Sequence, residues 1–147
     1  MIPNFLSKKP IPDVLPESME PVLEHLRSSP SKEECLKRAY SIITSKYRGY
    51  KIRTYLRFWE MFNHDISYWW GRSGLLGCTN FNFMLRTLLV RSGMFRDEDI
   101  IPRITVLYIS PHQYLDVKLD SGKSIKVDCW AKAYGIALGD YAHGFNC

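Results

Sequence analysis

The spacing of apolar residues changes once along this chain, from the period of a helix to that of a strand, and the change limits the architectures available. Up to about residue 92, apolar side chains recur every three or four residues, as on the buried face of a helix. From residue 103 onward, β-branched, aromatic and alternating residues follow the strand pattern. Helices that precede strands, rather than alternate with them, predict an α+β fold with N-terminal helices packed on a small antiparallel sheet.

Local signals set the bounds of the first helices. A short helix is predicted at 17–28. Ser31 and Glu34 form a capping-box pattern that opens a second helix, which runs to Lys46 or Tyr47. A third helix is predicted at 51–63.

The remaining N-terminal segments are interpreted as irregular. Residues 1–16 contain four prolines and predict an extended arm over the domain. The stretch "ISYWWGRSG", at 66–74, is interpreted as a loop rich in aromatic residues. The domain organisation we expect is an arm with a short helix at 1–30 and one domain at 31–147, a length sufficient for one core. Cys35 is assigned to that core because it lies on an apolar helix face.

The segment "GLLGCTNFNFML" begins the most regular helical pattern in the chain. This helix is predicted to start close to Cys78 and to stop at Ser92 and Gly93. A strand is predicted at 103–109. Two further strands flank "DSGK", a hairpin turn in which Gly122 takes the position that needs a positive φ.

Three polar residues fall at the ends of these elements. Cys78 opens the long helix, His112 starts one hairpin strand, and Asp128 ends the next. Strands joined by a hairpin pair residue by residue, so a bulge or diagonal offset brings His112 beside Asp128, facing the helix that starts at Cys78. A helix N-terminus and an adjacent imidazolium lower the pKa of a thiol, and a carboxylate orients the imidazole. The free backbone N–H groups of a helix start can bind an oxyanion.

The stretches "GLLGCTNFNFMLRTLLVRSG" and "HQYLDVKLDSGKSIKVDCW" resemble the core of the transglutaminase-like superfamily. In that family a G-x-C turn opens the active-site helix, a histidine starts one strand and an aspartate ends the next. The resemblance implies a papain-like α+β core with Cys78 as nucleophile, His112 as general acid and base, and Asp128 as the orienting residue. It also implies an oxyanion-binding side chain upstream, for which Trp69, Trp70 and Asn80 are the candidates.

These residues predict a thiol-dependent enzyme that transfers acyl groups from amide bonds. Hydrolysis by a cysteine peptidase or amidase is the first interpretation, and transfer to a second amine, as in a protein-glutamine transferase, is the other. The expected partner is a protein or peptide substrate, and no cofactor or metal is expected. His25, His64 and His143 compete with His112 as the base, but none lies on a strand paired with an acid. Zinc binding by Cys129, His143 and Cys147, with Cys35 as a fourth ligand, matches no usual spacing.

The formal net charge of +5 is concentrated in one stretch of the chain. Such a stripe favours either a solvated helix face or an acidic partner such as nucleic acid, and we interpret it as a solvated face. The alternative function is therefore a catalytically silent binding module that holds a protein or nucleic-acid partner through this stripe and the aromatic loop. The absence of a long apolar run or signal-like start predicts a cytoplasmic protein without membrane contact. The stripe, at 32–57, contains Lys32, Lys37, Arg38, Lys46, Arg48, Lys51, Arg53 and Arg57, with Glu33 and Glu34 as its acids.

Overall fold

The computed structural model describes residues 8–50, 56, 59–60, 63 and 65–147, and its elements confirm the α+β class. The helix predicted at 51–63 and the side chain of His64 lie outside the described residues, apart from the four positions just named. Within the described part of the chain, no helix combines the length and the apolar character needed to cross a bilayer. The helices are α1 (Glu20–Arg27), α2 (Lys32–Lys46), α3 (Ile66–Trp70) and α4 (Cys78–Arg91), and the strands are β1 (Tyr47–Arg48), β2 (Gly74–Leu75), β3 (Ile100–Leu107), β4 (Ser110–Lys118) and β5 (Ser124–Val127).

The first two helices form where the sequence predicts them. A 3₁₀ turn at Glu17–Met19 leads directly into α1, which confirms a helix over the predicted stretch. At the start of α2, the hydroxyl of Ser31 accepts a hydrogen bond from the backbone N–H of Glu34 at 3.1 Å. The carboxylate of Glu34 accepts instead from Nε of Arg38 at 3.3 Å, so the described residues form one half of the predicted capping box. Cys35 is fully buried, as predicted.

The long helix α4 begins at Cys78, as its apolar spacing predicts, and the chain leaves it through Gly93 with φ +83°. Its buried face packs against α2 on one side and β4 on the other. Each fully buried apolar side chain contributes roughly 1.5–3 kcal/mol, so this face holds the helices to the sheet. Its fully buried members are Phe81, Met84, Leu85, Leu88 and Leu89.

The C-terminal sheet is an antiparallel meander of order β3-β4-β5. β3 starts earlier than the predicted 103 and ends at Leu107, because Tyr108 turns the chain with φ 56° and Leu107 pairs directly with Ser110. The predicted hairpin between β4 and β5 is confirmed, with Gly122 at φ +82°. This turn sets the register of β4, which carries His112, against β5, which ends at Val127, one residue before the predicted end at Asp128.

The prediction of a loop at 66–74 is wrong in its first half. Residues 66–70 form α3, because a carboxylate oxygen of Asp65 accepts the backbone N–H groups of Ser67 and Tyr68 and so caps the helix. After α3, β2 pairs with β1 in parallel. The backbone N–H of Leu76 then donates to the carbonyl of Arg48 at 3.0 Å, which fixes the approach to Cys78.

Both ends of the described chain lie against the domain. Near the N-terminus, the ammonium of Lys8 lies 3.3 Å from the carboxylate of Asp97, and the guanidinium of Arg86 donates to the carbonyl of Lys9. Of the arm predicted at 1–16, residues 1–7 lie outside the described residues, and residues 8–16 form no helix or strand.

The C-terminal tail, residues 139–147, pairs with the outer edge of β3. Gly144 donates to the carbonyl of Val106 and accepts from the N–H of Tyr108, both at 2.7 Å. The ring of Tyr141 stacks on that of Tyr114 of β4, with centroids 4.1 Å apart. The tail therefore lies over the same sheet that carries His112.

Candidate active site

His112 and Asp128 lie side by side in the sheet. Their side chains meet at 2.6 Å, between Nε2 of the imidazole and Oδ2 of the carboxylate. The β4–β5 ladder ends at the pair Leu115 and Val127, so Asp128, one residue further, lies one diagonal step from His112 on the same face. The proximity that the strand pattern predicts is therefore observed.

The carboxylate of Asp128 is held by three donors. Besides His112, the backbone N–H of Ala131 donates to Oδ1 at 3.2 Å and that of Ala142 to Oδ2 at 2.9 Å. The residue is 2% exposed, so these N–H donors satisfy a carboxylate that water scarcely reaches. Both oxygens are thus fixed in direction by the backbone that follows β5.

His112 is buried between this carboxylate and the thiol of Cys78. Burial lowers the pKa of His112, but hydrogen bonds to Asp128 and Cys78, and their negative charges, outweigh it and raise the pKa to about 10. These interactions favour the protonated form of the imidazole. Since Nε2 is bonded to Asp128, Nδ1 is the ring nitrogen left for the sulfur. The indole of Trp130 packs against the imidazole with ring centroids 5.0 Å apart and limits its rotation.

Cys78 is the first residue of α4, after Gly77 in an extended conformation with no side-chain cap. Within the described residues, the backbone N–H groups of Cys78, Thr79 and Asn80 donate to no acceptor, and the first bond of the helix is made by Phe81. These groups and the helix dipole give the sulfur a positive environment. Cys78 is 8% exposed, so only a small part of its side chain meets solvent.

The three residues named as oxyanion candidates direct their side-chain donors to other acceptors. All three are buried, and each donor already makes a hydrogen bond away from the sulfur of Cys78. Their proposed role in binding an oxyanion stays a prediction, and the free backbone N–H groups of α4 are the nearer donors. The bonds run from Trp69 Nε1 to the carbonyl of Asn63 at 2.8 Å, from Trp70 Nε1 to Oγ of Ser18 at 3.1 Å, and from Asn80 Nδ2 to the carbonyl of Glu60 at 3.2 Å.

A buried polar pair joins the helix of Cys78 to the strand of His112. The amide nitrogen of Asn82 donates to both the backbone carbonyl and Oε1 of Gln113, each at 3.1 Å. Both side chains are buried, so breaking the pair would leave polar groups unsatisfied. This contact was not predicted from the sequence. Its signal was a polar residue within the apolar face of the helix and another within that of the strand. Sequence reasoning also missed Trp130, Ala131 and Ala142 as supports of His112 and Asp128.

The other histidines lie away from this cluster. His25 is exposed on α1, and the exposed His143 packs its ring on Tyr141, 4.7 Å between centroids. Among the residues that the structure describes, no three His, Cys, Asp or Glu side chains are grouped to hold a metal ion. Cys129 is buried, and burial raises the pKa of its thiol, the opposite of what a thiolate ligand needs.

Several cations of the basic stripe have local partners. On α2, Lys37 pairs with Glu33 at 3.1 Å and Arg38 with Glu34 at 3.3 Å, each across one helical turn. Lys32 lies 3.3 Å from the buried carboxylate of Asp99. These contacts neutralise much of the α2 surface, whereas Lys51, Arg53 and Arg57 fall outside the described residues.

No protein-family model, curated protein or solved structure compared with this chain matches it. The site is therefore interpreted from its own geometry.

Proposed function

We propose that this protein is a thiol-dependent acyl-transfer enzyme with a transglutaminase-like core, acting on amide bonds of a protein or peptide. The observation that carries the proposal is the position of His112, which is hydrogen-bonded to Asp128 at 2.6 Å and interacts with the thiol of Cys78, at a helix N-terminus without a side-chain cap. A buried ion pair contributes little net stability, because desolvation offsets the attraction. A structural role alone is thus a weak reason for this arrangement.

The cluster supplies each group that acyl transfer requires. The thiol of Cys78 passes its proton to His112, and the sulfur attacks the amide carbonyl. The free N–H groups at the start of α4 stabilise the oxyanion of the tetrahedral intermediate. As the C–N bond breaks, His112 donates its proton to the departing amine, and an acyl thioester remains on Cys78.

The second half of the reaction restores the thiol. Neutral His112 takes a proton from water, the resulting hydroxide attacks the thioester, and the C–S bond breaks to release the carboxylic acid and the thiolate. Asp128 keeps the imidazole oriented and favours its charged form in both halves. A second amine in place of water would give a transferase, so hydrolysis is the simpler form of the same chemistry.

Thiol reactivity tests the proposal directly. We expect iodoacetamide at pH 7 to label Cys78 at least tenfold faster than Cys35 or Cys129, whose pKa values are raised by burial, as read by mass spectrometry of the digested protein. The variant His112→Ala should remove most of this difference, whereas His25→Ala, on the exposed face of α1, should leave it unchanged. Equal labelling of the three thiols, or a rate indifferent to His112, would contradict the proposal and favour a silent binding module.

A further inference from the structure

A cavity of about 440 Å³ lies beside the candidate active site, at the junction of α2, β1, β2 and the 3₁₀ turn Trp130–Tyr134. Neither Cys78 nor His112 lines it. Its walls come from the end of α2 and the whole of β1, from Gly74, and from the residues just after Asp128. The volume is in the range of small-ligand sites.

The charged side chains around this cavity all have one sign. Lys46, Arg48 and Lys132 line it, and none of the lining residues that the structure describes is a carboxylate. None of these three cations has an ion-pair partner among the residues that the structure describes. By contrast, Lys32, Lys37 and Arg38 of the basic stripe each pair with a carboxylate.

Two of the ammonium groups are positioned by uncharged neighbours. Nζ of Lys46 lies 4.8 Å from the ring centroid of Trp70, and Nζ of Lys132 lies 3.4 Å from Oγ1 of Thr44. Rings and hydroxyls hold a cation in place without neutralising it. A concave surface lined by one sign of charge concentrates ligands of the opposite sign. The cavity therefore has the electrostatics and the hydroxyl groups of an anion site.

The cavity is joined to the active-site cluster by the backbone. The carbonyl of Arg48 accepts the N–H of Leu76, two residues before Cys78. Gly49 packs so closely on Trp130 that a Cβ there would lie 2.2 Å from the carbonyl oxygen of Trp130, whose ring covers His112. The cavity thus shares direct backbone contacts with the segments that carry Cys78 and cover His112.

We propose that this cavity binds an anionic group of the acyl donor, so that the preferred substrate is an acidic peptide. The claim that the anion belongs to a substrate rests on the proposed acyl-transfer function. The claim that the cavity binds an anion rests on the cavity alone. A carboxylate side chain near the reacting amide would meet Arg48 and the two lysines while the amide lies at Cys78.

Binding is tested on the full chain with Cys78→Ala, which prevents turnover. The probe is a blocked tetrapeptide, Glu-Glu-Gln-Glu, compared with an all-Gln tetrapeptide and with pyrophosphate, each titrated while backbone amide NMR shifts are followed. We expect the acidic peptide to shift the amides of Gly49, Gly74 and Ala133. We also expect Arg48→Gln combined with Lys132→Gln to weaken its binding about tenfold in Kd, since partly exposed charge pairs contribute modestly. Lys118→Gln, which removes an exposed cation of β4 outside the cavity, should change the Kd less than twofold.

Each outcome has a distinct meaning. Cavity shifts with the acidic peptide that fade in the double variant support the proposal. Equal binding of the all-Gln peptide, or no shift at the three cavity amides, overturns it, and does so even if Cys78 is labelled rapidly. Shifts with pyrophosphate alone overturn the assignment to a peptide. If the acidic peptide binds but Cys78 is unreactive, the peptide is a ligand and not a substrate, and the proposed function is wrong as well.

Discussion

The carboxylate of Asp128 and the imidazole of His112 are 2.6 Å apart although the two residues are not opposite each other in the β4–β5 ladder. The diagonal step exists because pairing stops at Val127 and the chain then turns into the 3₁₀ segment at Trp130. The same turn brings the N–H of Ala131 under the carboxylate. The orientation of His112 thus depends on backbone that comes after the last strand.

Replacing Asp128 with Asn should lower the reactivity of Cys78. The amide keeps the shape of the side chain but removes the charge that raises the pKa of His112, so the imidazolium loses its stabilising partner. We expect the iodoacetamide rate at Cys78 to fall by on the order of tenfold to a hundredfold. Asp116→Asn is the matched control, because Asp116 is a β4 carboxylate paired with Arg103. In this variant the iodoacetamide rate at Cys78 should stay within twofold of the wild-type rate. An unchanged rate in Asp128→Asn would remove Asp128 from the proposed triad.

The raised pKa of His112 should make stability fall as the pH rises in a variant without the Cys78 thiol. The pKa of His112 is raised to about 10 in the folded state, against about 6.5 in an unfolded chain. The folded protein therefore binds the imidazole proton more tightly, a contribution fully present below pH 6.5 and lost as the pH approaches 10. The test uses Cys78→Ala, because a proton passed from Cys78 to His112 leaves the number of bound protons unchanged, whereas Asp128 still stabilises the imidazolium in this variant. Urea unfolding of Cys78→Ala at pH 6, 7, 8 and 9 should show a falling free energy of unfolding. Adding His112→Gln should flatten this profile, and a free energy that rises over the same range in Cys78→Ala would contradict the raised pKa.

Removing the N–H of residue 142 should disturb the site from its far side. Ala142 is fully buried, and its N–H donates to Asp128 Oδ2 at 2.9 Å. Ala142→Pro deletes this donor, and a lost hydrogen bond to a charged group costs about 1.5–3 kcal/mol. Ala142→Gly loses the methyl group and keeps the N–H. We expect the NMR titration midpoint of His112 to shift in the proline variant and to stay in place in the glycine variant. Equal midpoints would mean that the tail does not position Asp128.

A methyl group at residue 49 should destabilise the fold. Its Cβ would lie 2.2 Å from the Trp130 carbonyl oxygen, a backbone atom that cannot move aside alone. Gly49→Ala should therefore lower the free energy of unfolding by about 1–3 kcal/mol. Gly77→Ala is the comparison, because in the described part of the chain no atom beyond its sequence neighbours lies within 4 Å of its Cβ. Its φ is −77°, and its free energy of unfolding should change by about 1 kcal/mol or less. Similar losses in both variants would mean that the close packing on Trp130 is not the cause.

Local periodicity was sufficient for much of the architecture. The start of α4 at Cys78 follows from apolar spacing and from Gly77, and the hairpin follows from Gly122. These features depend on neighbours in sequence, which is why the order of helices and strands, and the meeting of His112 and Asp128, were predictable.

Contacts between distant segments were not predictable in the same way. β1 and β2 have two residues each, too few to show the alternation of apolar and polar side chains that predicts a strand. α3 is only five residues long, and its start depends on a cap by Asp65. The aromatic-rich sequence that follows Asp65 was interpreted as a loop. The N–H of Ala142 is a backbone group, so no side-chain pattern marks it as a support of Asp128.

The pairing of Gly144 with Val106 and Tyr108 also affects association between molecules. β3 is an edge strand with exposed apolar side chains, among them Val106 at 60% exposure, and such edges recruit strands from other chains. Gly144 occupies the hydrogen-bonding groups at one end of that edge, and Pro102 offers no N–H near the other. The C-terminal tail, whose Ala142 donates to Asp128, thus also covers part of the β3 edge. Detaching the tail would expose an aggregation-prone edge and, at the same time, remove a hydrogen bond from the carboxylate of Asp128.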